Sequence, residues 1–501
     1  MTARLVTIGD SLTQGFQHGA VRRTAWAAPA MVARALHAEP FRAGDFSGDG
    51  DGGPLLDLEL LLDRLSAACG KQVDLWEVPE ALLTLKRTMG RIEEYWERGA
   101  GTMPSGTGPL HHNLGAWGFE VLDALNLTDA VCRDNMPPPV NNFIAQLPEH
   151  GMYRSARRVL NPAAQPALAD LTAPQLAKRL ADSEGIENLL VGLGANNALG
   201  PCVSLQVRRS TSADLTRYAH QRECNLWEPD HFATLYAKLA TEVEAVGAQR
   251  VFLATVPHVT IAPVTRGVSP YARAAHQNEL VAGYYEYYTR FWTWDRHFDP
   301  AKTGHLTRAQ AREIDATISL YNDCIRAEAA KRGWPVIDLC ALLDALAYRR
   351  NAGQPPYRLP AGLVSALAQN PLTSFRVRPD GEVLLDTRYM RIPARSPAAD
   401  ASSDVWRSAF KGGIFGLDGV HPSTTGYGII AHEVLLAFQK AGVPGADPAL
   451  LDWPSIVAND SLLTRPPQLL VSLEATLDAL FNVLPLDRLV EKLAGHGAEA
   501  F

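Results

Sequence analysis

Four short runs of apolar residues, at 5–8, 188–194, 250–256 and 335–339, punctuate the chain without the polar alternation of a half-exposed strand. Each therefore predicts a strand buried on both faces. Between them the period changes. Phe232, Leu235, Leu239 and Val243 recur at helical spacing within 231–246. Ile314, Ile318, Tyr321 and Ile325 do so within 307–332, with Gly333 where a C-cap belongs. Strands alternating with helices predict an open, parallel α/β sheet with helices on both faces. In such sheets ligands meet the carboxyl ends of the strands, so the loops that follow them are where chemistry is sought.

Other segments read as decoration of that sheet. The Gly- and Asp-rich stretch 43–54 reads as a turn, because the ligand spacing and bidentate glutamate of a calcium loop are absent. Residues 375–390 predict a β-hairpin turning at Pro379-Asp380-Gly381. Prolines 444, 448, 454, 466 and 467 precede an amphipathic pattern over 469–493, which predicts a C-terminal helical extension. The expected division is an α/β domain over 1–443, with insertions near 17–105, 259–305 and 345–410, and an extension over 444–501.

Composition narrows the classes. With 47% hydrophobic and 20% charged residues in 501, the chain can bury a sizeable core and is not a disordered protein. A net charge of -7 with interspersed signs offers no basic face for nucleic acid. No stretch reaches the ~18 apolar residues of a membrane span. The six cysteines form no C-x-x-C pair and suit free thiols in a reducing compartment. The run at 5–8 is too short for a signal peptide, so a cytoplasmic location is expected, although a chain trimmed of its leader would look the same.

Two distant stretches carry chemistry. Gly9-Asp10-Ser11-Leu12 places a serine just past a strand, at the start of a helix, where a nucleophile can be presented. An N-capping serine would look the same. Asp418-Gly419-Val420-His421-Pro422 puts a carboxylate three residues before a histidine, ahead of a helical run. The aspartate can reach Nδ1–H and leave Nε2 free as a base.

Together these stretches resemble the SGNH, or GDSL, hydrolases, and two further blocks of that family can be matched. Asn113-Leu-Gly-Ala-Trp-Gly118 resembles the second block, with Trp117 in place of its serine, and Gly194-Ala-Asn-Asn197 resembles the third, with Asn197 in place of its aspartate. The resemblance implies a flavodoxin-like three-layer α/β/α sandwich with a mainly parallel sheet of about five strands. It also implies a Ser11–His421–Asp418 triad and an oxyanion hole from the Ser11 and Gly118 N–H groups and the Asn196 amide. Gly115 is the alternative donor to Gly118.

The expected reaction is hydrolysis of a small-molecule or lipid-like ester through an acyl-enzyme, with no cofactor and no metal. Asp10, Trp117, Asn197 and His258 are expected at the substrate. An acyltransferase would use the same triad, and a non-catalytic binding protein could keep the same fold. Seven aromatics between Tyr284 and Trp294 are either a lid or acyl-binding wall or, the favoured reading, the small core of their own insertion. Oligomeric state and acyl chain length leave no trace that can be read.

Overall fold

A computed structural model of the chain describes residues 3–70, 76–104, 108–139, 147–268, 281–291, 293, 298–348, 350–351, 356–390, 412–467 and 469. Five strands form the central sheet: β1 (Val6–Gly9), β2 (Asn113–Gly115), β3 (Asn188–Gly192), β4 (Arg250–Ala254) and β5 (Val336–Ile337). All pair in parallel, in the order β2-β1-β3-β4-β5. This is the strand order of flavodoxin-like doubly wound sheets, whose ligand crevice opens where the winding reverses beside β1. All four residues of β1 are buried, as its unalternating apolar run predicts.

The helices used below are α1 (Ser11–Gln14), α2 (Ala28–Ala35), α3 (Ala173–Glu184), α4 (Asn196–Ser204), α5 (Pro229–Val246), α6 (Arg308–Arg332), α7 (Leu339–Leu346) and α8 (Thr424–Lys440). Helix α6 starts and stops where its caps dictate. Thr307 and Gln310 form a reciprocal capping box, and Gly333 takes a left-handed φ of 68°. Helices α3, α5 and α6 pack side by side, with Phe232 of α5 stacked on Tyr321 of α6 at 4.0 Å between centroids. Helices α2 and α8 pack together, and Phe438 of α8 meets Phe252 of β4 at 4.2 Å. Helix α2 thus belongs to a helical layer although it falls within the stretch 17–105.

The aromatic segment forms the middle strand (Tyr287–Arg290) of a small antiparallel sheet with Thr265–Gly267 and Leu306–Thr307. Two of its ring contacts are local, Tyr285 with Tyr288 and Tyr287 with Phe298, while Phe291 stacks on Tyr389 at 4.3 Å; Trp292 and Trp294 lie outside the described residues. The turn at 379–381 forms, with Gly381 at φ 85°, but the ladder around it is a single bridge, Val377 to Val383. After α8 come the short helices Trp453–Asn459 and Ser461–Thr464. The amphipathic pattern predicted over 469–493 lies outside the described residues apart from Leu469. No described helix is long and apolar enough to cross a membrane, and all six cysteines are free.

Candidate active site

Strand β1 ends in a turn that only glycine permits. A Cβ on Gly9 would meet Thr13 Oγ1 at 2.0 Å and the Gly192 carbonyl at 2.8 Å. Asp10 then caps α1, its Oδ1 accepting from the Leu12 N–H at 3.0 Å, and Ser11 is the first residue of that helix. Burial pushes the Asp10 carboxyl up to about 7, against the lowering pull of the Leu12 N–H and of His421.

The loop before α8 supplies the partners. His421 Nε2 lies 2.9 Å from Ser11 Oγ, and His421 Nδ1 lies 3.3 Å from Asp418 Oδ2. The second separation is an ion-pair contact whose angle leaves Nδ1 short of a formal hydrogen bond. Catalytic contacts of this kind commonly tighten only when substrate is bound. All three side chains are buried.

Asp418 is itself fixed by backbone donors. Its Oδ1 accepts from the Val420 and His421 N–H groups, each at 2.8 Å, and its Oδ2 from Gly19 N–H at 2.8 Å. Burial raises its pKa, but the adjacent His421 and these donors outweigh that and hold it below the usual carboxylate range. The stretch after α1 clamps the same loop a second time, since Leu417 N–H donates to His18 Nδ1 at 3.0 Å. The imidazole packs on Phe16 at 4.4 Å, and Phe16 stacks on Trp117 at 5.4 Å.

The second and third blocks converge on this place. Asn113 ties β2 to the turn after β1, donating to the Thr13 carbonyl at 2.8 Å and accepting from Gly115 N–H at 3.0 Å. Gly118 has φ 79°, and a Cβ there would lie 3.0 Å from the Met152 side chain. Asn196 opens α4 and donates one amide hydrogen to the Phe119 carbonyl at 2.9 Å, so the two loops hold each other. An amide carries two donor hydrogens, so a second remains. Among the described residues, no protein acceptor engages the N–H of Ser11 or of Gly118.

A cavity of about 100 Å³ opens at Ser11, Asn196 and His421 and runs between apolar walls. None of Asp10, Trp117, Gly118, Asn197 or His258 lines it. Asp10 is a helix cap, and Trp117 is buried against Phe16 with its backbone N–H donated to Gln14 Oε1 at 2.7 Å. Asn197 turns beneath the loop, where its Oδ1 accepts from Val121 N–H at 3.2 Å. His258 stands between the lining residues Pro257 and Val259, but its ring is held 2.9 Å from Asp344 Oδ1.

His258, Cys340 and Asp344 bring three possible metal-ligand atoms within 4.8 Å of one another. A guanidinium nitrogen of Arg350 stands 3.2 Å from His258 Nδ1 and 2.8 Å from Asp344 Oδ1. Arg350 thus pairs with two of these three side chains in an ion-pair network. What the sequence reading missed is the lining face of α7, formed by Leu339, Leu342, Leu343 and Leu346. Their spacing marks one face of a helix. No family model, curated protein or solved structure matches this chain.

Proposed function

We propose that this protein is a serine-dependent carboxylic ester hydrolase of the SGNH kind, working through an acyl-enzyme on Ser11. The observation that carries the reading is the buried line Ser11 Oγ, His421 Nε2, His421 Nδ1, Asp418 Oδ2, with separations of 2.9 and 3.3 Å at its two junctions. It is a nucleophile beside a base, and the base is oriented by a third group.

In this reading His421 Nε2 takes the Ser11 proton as Oγ attacks the ester carbonyl. The oxyanion is received by the Ser11 and Gly118 N–H groups and the free amide hydrogen of Asn196. Collapse expels the alcohol, which takes the proton back from His421. Water then repeats the cycle on the acyl-enzyme, with His421 again the base. Support also comes from the strand order, since Ser11 follows β1 and Asn196 follows β3, the strands that flank the ligand crevice of such sheets.

Incubation with a fluorophosphonate ester followed by mass spectrometry tests the assignment. One adduct is expected, on Ser11, and none in Ser11→Ala. Equal hydrolysis of a short p-nitrophenyl ester by wild type and Ser11→Ala would sink it.

A further inference from the structure

Apart from Ser11, Asn196 and His421, every residue lining the cavity is apolar or glycine. No carboxylate, lysine or arginine borders it, so a charged or sugar-like group would lose hydration there without a replacement partner. The far wall is the leucine face of α7, which follows β5, while Ser11 follows β1. Strands β3 and β4 lie between those two. Three strand spacings give a span of roughly 14 Å across the ends of the sheet. At roughly 1.3 Å of extended chain per methylene, set by C–C bond lengths, that span alone would admit about ten carbons.

Volume is the tighter limit. The cavity is about 100 Å³, smaller than the ~150 Å³ of an apolar cavity that accepts benzene. A recess also suits the part of an ester that stays attached to the enzyme. The alcohol must depart before water attacks, whereas the acyl group remains bonded to Ser11 through both steps.

We propose that the cavity is the acyl subsite of the Ser11 site, that it takes an unbranched acyl chain of roughly four to six carbons, and that the leucine face of α7 sets this length. The proposal rests on the reading of Ser11 as nucleophile. It assigns specificity to α7 and to the first turns of α8, which contribute Ile429 and Ile430, and not to the aromatic segment 284–294.

The test is a series of p-nitrophenyl esters from acetate to palmitate, run beside alkyl acetates of increasing alcohol length. kcat/KM is expected to rise about fourfold per acyl methylene, equivalent to ~0.8 kcal/mol each, to a maximum near hexanoate, and to fall past octanoate. Leu343→Trp should lower the hexanoate-to-acetate ratio by about tenfold or more, the loss of roughly two buried methylenes. An optimum at decanoate or longer, a ratio unmoved by Leu343→Trp, or a rate that tracks alcohol length instead would overturn it. Straight-chain carboxylates added to Ser11→Ala separate this proposal from the catalytic one. Hexanoate should raise the Tm more than acetate or dodecanoate does, even if wild type hydrolyses no ester and the Ser11 reading fails. Equal shifts for all three would end the acyl-subsite proposal.

Discussion

His421 Nε2 stands 2.9 Å from Ser11 Oγ across 410 positions of chain, and Gly19 N–H, just past α1, donates to Asp418 on the far side of that imidazole. The amino-terminal segment therefore supplies the hydroxyl on one side of the imidazole and, through Gly19, anchors the carboxylate on the other. If the three side chains act as one unit, Ser11→Ala and His421→Ala should each lower kcat by on the order of 10⁶. Asp418→Asn should cost about 10⁴, because the amide favours the wrong imidazole tautomer. Steady-state kinetics beside circular dichroism checks this. A Asp418→Asn enzyme that is folded and fully active would remove Asp418 from the mechanism.

The proposed oxyanion donors make a separate prediction. Asn196→Ala removes one amide donor and should lower kcat by about 10² to 10³ with KM little changed, as for an interaction made only in the transition state. Gly118→Ala should be worse for the fold, since it places a side chain at φ 79° and against Met152. A strain of about 1–3 kcal/mol is expected there, to be read from urea unfolding. A large KM effect with kcat intact in Asn196→Ala would show that the residue merely binds substrate.

The parts of this arrangement differ in how plainly the sequence announces them. Strands β1, β3 and β4 are legible because burial on both faces leaves an unbroken apolar run, and α6 because Thr307, Gln310 and Gly333 mark its ends. Strand β2 spans only Asn113–Gly115, too few residues for a period to register, and its presence rests on pairing with β1. Its place after a strand predicts the ring of His258 at the substrate. Its partner Asp344 lies 86 positions onward, and an ion pair at that range leaves no local pattern. Asn197 follows Asn196 directly, yet helical geometry sends consecutive side chains in different directions, and only Asn196 reaches the cavity.

Stability should respond to pH through Asp10. Burial raises its carboxyl from 3.8 to about 7, so the folded chain keeps a proton that the unfolded chain has released. A raised folded pKa means stability that is fully present below the unfolded value and is lost as pH climbs to about 7. Glu120 acts in the same direction, burial lifting it to about 7 against the pull of Arg222. Asp418, held low, acts oppositely and costs stability only when pH falls below the usual carboxylate range. Asp10→Asn keeps a good helix cap and removes one titration. Its Tm should fall less than that of wild type between about pH 5 and pH 8. Equal falls would mean that Asp10 is already ionised in the fold.

His258 gives the opposite kind of test, because its charge joins the β4 loop to α7. Burial works against protonation, but hydrogen bonding to Asp344 and Cys340 outweighs it and raises the ring to about 10. The folded state therefore holds a cation that an unfolded histidine near 6.5 largely lacks at neutral pH. That contribution is complete below 6.5 and disappears as pH rises through 10. Asp344 keeps 38% of its side chain in solvent, so the pair is discounted to about 1 kcal/mol. His258→Gln should be less stable than wild type by that amount at neutral pH, and the gap should close above about pH 10. Urea titrations at both pH values decide it. A gap that persists unchanged at high pH would mean that His258 contributes shape and packing rather than charge, and that Arg350 alone holds Asp344 and α7 in place.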